Sequence, residues 1–257
     1  MEIGACVKPD AVNEPVAGLD FVETTVGGSL APGQDEAAFA LLAAAAQACP
    51  VPVRAANCFI PRELPTTGPE VDAEAVDEYV RVALHRGQRI GLRTIVFGSG
   101  KSRNVPEGFS GDRAWAQLAE HLRRWGPLAQ QAEITVVVEP LARDGCNIIN
   151  TVRQGAELVR HVGHPNVRLL ADTYHMAANG EGAEDLTELA PLVAHVHCAQ
   201  HEGRRAPAAG GEDLRPYFRA LKAGGYDGPV SMECQWQDLS AELGPAAAEL
   251  RRQIEDA

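Results

Sequence analysis

Short, continuous apolar runs alternate with stretches of helical spacing from one end of the chain to the other. Ile3–Val7, Leu19–Thr24, Val51–Phe59 and Leu92–Phe97 read as the first four strands. Ile134–Val138, Val167–Ala171, Leu192–Ala194 with the residues that follow, and Pro229–Met232 read as the next four. Most are apolar without alternation, the pattern of strands buried on both faces of a parallel sheet. Between them the apolar period lengthens to that of a helix. Helices are expected from about Gln34 to Ala48, and from an Asp72 cap to about Arg89 with Val76, Val80 and Leu84 on one face. A longer one begins at Ser110 and carries Trp115, Leu118, Leu122 and Trp125. Asn150-Thr151 to Val162, Glu184–Leu189, Asp213–Ala223 and Glu242 to Ile254 complete the set. Gly27-Gly28 is expected to loosen the chain, and Pro61, Pro65 and Thr66-Thr67-Gly68 to make a loop.

Strict strand–helix alternation requires a parallel sheet, and eight units in 257 residues favour one (β/α)8 barrel domain over residues 1–257. An open doubly wound sheet is the alternative. It would bring a phosphate-binding loop, and Gly98-Ser99-Gly100-Lys101 has the spacing of neither a dinucleotide fingerprint nor a P-loop. No linker or change of composition marks a second domain.

Composition narrows the partners. Hydrophobic residues at 45% and charged residues at 23% are ordinary for a globular domain, and aromatics at 5% imply a core of Ala, Val and Leu. A net charge of −12 argues against nucleic acid, which needs a basic footprint. No run approaches the ~20 apolar residues of a membrane span. The first residues lack the basic and apolar segments of a signal peptide. Six cysteines without a CxxC spacing read as reduced thiols of a cytoplasmic protein.

The candidate chemistry lies where the apolar runs stop. The fifth strand closes on Glu139, the sixth on Asp172, the seventh on His195-Val196-His197, and the eighth on Glu233. In a barrel these positions share one rim, the rim from which catalytic groups come. Three carboxylates and an imidazole make an oxygen-rich shell suited to Mn²⁺, Mg²⁺ or Co²⁺ rather than to a thiolate zinc site. His195 and His197 are read as facing opposite sides of the strand, with His197 the inward ligand and His195 a buried, partnered histidine. His175, three residues beyond Asp172, is a candidate for substrate contact. Asn57, Glu23 and Trp236 are further strand-end residues that could line the pocket, Trp236 by stacking. Lys101, Arg103, Arg204 and Arg205 sit on loops near the expected mouth and could meet a phosphate. The loop after the first strand offers few contacts.

These residues resemble a known family. Glu139-Pro140-Leu141, Asp172-Thr173-Tyr174-His175-Met176, His195-Val196-His197 and Met232-Glu233 are similar to the strand ends of the xylose-isomerase-like sugar isomerases and epimerases. The likeness is greatest to ketose 3-epimerases and hydroxypyruvate isomerases. Phe97-Gly98-Ser99-Gly100, Arg103-Asn104-Val105-Pro106 and Asn147-Ile148-Ile149-Asn150 extend it to the fourth- and fifth-strand loops. The resemblance implies one divalent metal, usually Mn²⁺, with Mg²⁺, Co²⁺ or Zn²⁺ as other candidates, on Glu139, Asp172, His197 and Glu233. It implies that Glu139 and Glu233 exchange a proton α to a carbonyl, through a metal-stabilised cis-enediolate, in a small sugar, sugar phosphate or keto acid. His175 and an arginine after the seventh strand would orient substrate hydroxyls, and a homo-oligomer would be usual. Gly203 stands where that arginine is expected, with Arg204 and Arg205 next.

Three other readings compete. Inosose and dehydroshikimate dehydratases begin with the same proton abstraction and then expel a hydroxyl. An endonuclease of the same barrel needs a trinuclear zinc cluster with extra histidines that Asn57-Cys58-Phe59 and Phe97-Gly98 do not supply. A sugar-binding protein without catalysis would not need two opposed glutamates.

Overall fold

Every apolar run becomes a strand, and every strand pairs with the next one in sequence. In the computed structural model, which describes residues 1–257, the strands are β1 (Ile3–Cys6), β2 (Phe21–Thr25), β3 (Val53–Asn57), β4 (Thr94–Phe97), β5 (Thr135–Val138), β6 (Val167–Asp172), β7 (Val193–Cys198) and β8 (Val230–Met232). They form a closed barrel in chain order, parallel throughout, with β8 returning to β1. The expected (β/α)8 architecture is what forms. Several strands are shorter than the runs that foretell them, because apolar residues such as Val51 and Phe59 are buried without joining the ladder.

The helices are α1 (Val26–Ser29), α2 (Glu36–Ala48), α3 (Ala73–Ile90), α4 (Gly100–Arg103), α5 (Gly111–Gln131), α6 (Val152–Val162), α7 (Thr173–Ala178), α8 (Leu186–Leu189), α9 (Arg215–Ala223) and α10 (Leu239–Glu255). The long ones start on side-chain caps. Asp35, Asp72, Ser110 and Asp238 each accept from the amide three residues on, and Thr151 does so in a reciprocal box with Gln154. Three short helices, α1, α4 and α7, arise at the barrel rim right after β2, β4 and β6. Gly27-Gly28 does not loosen the chain: Thr25 accepts from Gly28 N at 3.0 Å and holds both glycines in α1. A helix of four residues is too short to display a period.

Burial is divided between two layers. Most of the core fills the space between strands and outer helices. A second, small cluster of Val96, Val137 and Leu170 stands apart from it, with Ala194 against it. Phe21 fills more of the barrel, and its ring explains Gly4, where a Cβ would lie 2.2 Å from the ring carbons. The interior is a packed plug and not a pore, which confines any site to the rim. No helix is long and apolar enough to cross a membrane.

Candidate metal centre

Glu139 follows the last residue of β5, Asp172 closes β6, His197 lies one residue from the end of β7, and Glu233 follows β8. One ligand atom from each of the four lies within 4.8 Å of the others. Two ligands on opposite sides of one divalent ion stand about 4 Å apart, twice a bond of ~2.1 Å, so the spacing suits a single ion. The backbone is shaped around this arrangement. A Cβ on residue 98 would fall 2.1 Å from Glu139 Oε2, so Gly98 is what admits the carboxylate. Asp172 divides its oxygens. Oδ1 accepts from Tyr174 N at 2.8 Å and caps α7, which leaves Oδ2 turned to the site. His197 turns Nδ1 toward Glu139 Oε1 at 3.1 Å and Glu233 Oε2 at 3.3 Å.

The seventh strand corrects one expectation. Residues two apart on a strand share a face, so His195 and His197 point the same way, into the barrel. Both donate to one fully buried carboxylate. His197 Nε2 lies 2.9 Å from Glu23 Oε1, and His195 Nε2 lies 2.8 Å from Glu23 Oε2. His195 is thus partnered at one nitrogen, while its buried Nδ1 has no partner.

Charge in this cluster is unbalanced. Glu23, Glu139, Asp172 and Glu233 face the Arg204 guanidinium and, when protonated, His197. Burial resists the His197 imidazolium, but the carboxylates of Glu23 and Glu233 outweigh it and hold its pKa well above the ordinary value. Burial would raise Glu23, yet the two imidazoles hold it well below the usual carboxylate range. The two glutamates beside His197 are driven apart. Desolvation and the neighbouring Glu233 raise Glu139. Glu233 is desolvated too, but His197 and Arg204 bring it down. An oxygen-rich donor set with surplus negative charge fits a hard divalent cation.

The other sequence candidates divide. Arg204 enters the site: Nη2 reaches Asp172 Oδ2 at 3.1 Å and pairs with Glu233 Oε2, and the guanidinium lies 4.6 Å from the centre of the Tyr174 ring. Asn57 Nδ2 donates to Glu233 Oε1 at 2.8 Å. His175 accepts from Ala142 N at 3.1 Å and places Nε2 3.7 Å from Asp172 Oδ2, with its ring edge-on to Tyr174. Arg205 does not enter; it is exposed and lines a separate groove against α10. Trp236 is half-buried against the core and outside the mouth cavity. Arg103 is no phosphate contact. It is fully buried, and its guanidinium donates to the carbonyls of Phe97 at 3.0 Å and Glu139 at 2.6 Å, fixing β4 and β5 at the rim. Lys101 is exposed and outside the cavity.

Beside the cluster opens a cavity of about 590 Å³, lined in part by Cys6, Lys8, Thr25, Asn57, Cys58 and Glu233. The first-strand residues therefore contribute more than their sequence suggests. The missed signal was register: Cys6 ends β1 directly beside Glu23, by the same strand-end logic that found Glu139.

A sequence model of the family described as xylose isomerase-like TIM barrel matches residues 16–255. The hydroxypyruvate isomerase of Escherichia coli (strain K12) is 28% identical over 158 residues, 60% of this chain and 60% of that protein. A ketose 3-epimerase of Arthrobacter globiformis is 32% identical over 123 residues, 46% of this chain and 42% of its own length. The aligned part of the chain thus spans about half the length of the curated relatives it matches. In structure, the chain is similar to a D-allulose 3-epimerase from Methylomonas sp. solved with D-allulose, with a TM-score of 0.81, 20% identity and coverage of 98% of this chain and 97% of that one.

Proposed function

The chain belongs to the xylose isomerase-like TIM barrel family, and on that premise we propose that it is a divalent-metal-dependent isomerase or epimerase of a small sugar or keto acid. The observation that carries the reading is the pair Glu139 and Glu233, two carboxylates with opposed pKa shifts that share the His197 Nδ1 between them. Interconversion of a carbonyl compound and its isomer requires a proton to leave one carbon and return to the same or the next. Two carboxylates from different strands that meet at one point can perform the two halves.

Glu139, Asp172, His197 and Glu233 would hold the metal, Mn²⁺ by the hardness of the donor set. When bound, it supplies the Lewis acid that makes the α-proton removable near neutral pH. The protein does the rest. Arg204 is placed to hydrogen-bond a substrate oxygen once drawn from Asp172, and His175 presents Nε2–H on the Asp172 side. Asn57 steadies Glu233 through its Nδ2, and the packed barrel beneath excludes water from one side. Six free thiols suit a reducing cytoplasm.

The test is a panel of ketoses and of hydroxypyruvate-type keto acids, incubated with the Mn²⁺-loaded protein in D₂O and followed by NMR. Deuterium should appear at the carbon next to the carbonyl together with the isomeric product. Exchange with no substrate in the panel would sink the proposal, and loss of water in place of isomerisation would move it to a dehydratase.

A further inference from the structure

We propose that Glu23 is a positioning residue, which fixes His197 with its Nδ1 lone pair facing Glu139, Asp172 and Glu233, and that His195 holds Glu23 in turn. The inference rests on the metal reading above and adds a residue that supplies none of the four ligand atoms.

Glu23 has no accessible surface. A carboxylate so deep in a barrel is costly unless each oxygen is answered, and both are, by imidazoles from one strand. An ionised carboxylate can only accept, so the nitrogen facing each oxygen carries the proton. For His197 that nitrogen is Nε2. Its Nδ1 faces Glu139 Oε1 and Glu233 Oε2 in the same way, and a cation set among these residues would take the place of the Nδ1 proton while Glu23 keeps the one on Nε2. A histidine with the opposite tautomer would direct an N–H at the metal position and could not ligate.

His195 serves the other end. Its Nε2 takes Glu23 Oε2, so the carboxylate cannot rotate away without stranding an imidazole. Phe21 braces the His195 ring at 6.0 Å between centroids, edge to face. His195 also lines a pocket of about 40 Å³ at the opposite end of the barrel, with Arg54 and Arg93. A hydrogen-bonded line thus runs inward from the rim through His197 and Glu23 and ends at His195. Cys6, Glu23 and His197 also bring ligand atoms within 4.8 Å of one another. A metal there would have to take Nε2 from Glu23, and Cys6 Sγ is instead 3.4 Å from Ser231 Oγ.

Glu23→Leu removes both acceptors at similar volume, and Glu23→Gln keeps one. Calorimetric titration of the metal-free proteins with Mn²⁺ reads the effect directly. Glu23→Leu is expected to bind Mn²⁺ about 10- to 100-fold more weakly than wild type, with Glu23→Gln between them. A folded Glu23→Leu protein that binds within twofold of wild type overturns the proposal. If Glu23→Leu does not fold, ¹⁵N-histidine NMR of the wild type saturated with Mg²⁺ decides. A proton on His197 Nε2 sustains the proposal, and a proton on Nδ1 defeats it. Wild type that binds no Mn²⁺ in the same titration fails the metal reading itself, and so is told apart from a failure of Glu23.

Discussion

Two buried histidines in this fold are set among charges of opposite sign. His121, on α5, accepts at Nδ1 from Arg124 Nη2 at 2.9 Å. Arg124 is itself answered by Asp77 at 2.6 Å, and the second Asp77 oxygen accepts from Trp125 Nε1 at 3.0 Å. Burial first, and the guanidinium second, push the His121 pKa down to about 4. His197 is buried as deeply but moves the other way, drawn up by the carboxylates around it. The outer cluster comes close to balance: Arg124 meets Asp77 and, at 3.1 Å, the exposed Glu120, beside a neutral imidazole. The rim cluster does not, with four carboxylates against one guanidinium and one imidazole. Burial of ionisable groups alone does not mark a site. An unneutralised surplus of one sign does.

The largest way to separate the two is to remove a carboxylate from each. Glu139→Gln or Glu233→Gln should reduce deuterium wash-in at the substrate α-carbon by roughly 10²- to 10⁴-fold, the usual worth of a positioned acid or base. Asp77→Asn should leave wash-in unchanged and lower unfolding stability by about 1–3 kcal/mol, through the weakened Arg124 and Trp125 contacts. Undiminished exchange in both glutamate variants would end the two-base account.

Next in size is the response to metal. Mn²⁺ at a hundred times its Kd should stabilise the native state by about 2.7 kcal/mol. For a domain of this size that is roughly 5–10 °C in Tm, read by calorimetry with and without a chelator. Asp172→Ala should erase the increment, and substitution of His121 should not touch it.

What was legible in the chain follows the same division. Glu139, Asp172, His197 and Glu233 could be read because each interrupts or ends an apolar strand, and strand ends of a barrel converge by construction. The role of Glu23 could not be. Its partner His195 lies 172 positions away, and only closure of the barrel joins β2 to the far side. The orientation of His195 was legible and was misread, since a period of two puts it on the same face as His197. Arg103 was hidden for another reason. Loop composition does not distinguish a solvated arginine from one whose guanidinium satisfies the carbonyls of Phe97 and Glu139. The short rim helices escaped because capping by Thr25 and Asp172 outweighs a sequence too brief to show a period.

A smaller perturbation tests the rim geometry itself. Gly98→Ala would place a methyl carbon against Glu139 Oε2, and the buried carboxylate must shift to make room. A displacement on the order of 1 Å at a reacting group costs about 10²-fold in rate. The expected outcome is a loss in kcat of that order, with Mn²⁺ affinity also lowered. A variant with wild-type kcat would mean that Glu139 can be held elsewhere without loss.

The smallest effect is on stability against pH, and here the two histidines pull in opposite directions. His121 has a folded pKa of about 4, below its ordinary 6.5. Between those values the unfolded chain binds the extra proton. The stability this group contributes is therefore whole above 6.5 and is lost as the pH falls toward 4. His197, raised when folded, contributes below 6.5 and loses that contribution as the pH climbs through its folded value. At pH 5 the His121 contribution should be lower than at pH 8 by up to about 2 kcal/mol. His121→Leu should flatten this acid limb in urea denaturation series, while bringing a constant cost from the unpaired Arg124 Nη2. Saturation with Mn²⁺ should leave the acid limb from His121 in place, because Arg124 and Asp77 take no part in the rim. If the limb vanished with metal instead of with His121→Leu, the carboxylates of the rim, and not this imidazole, would govern acid stability.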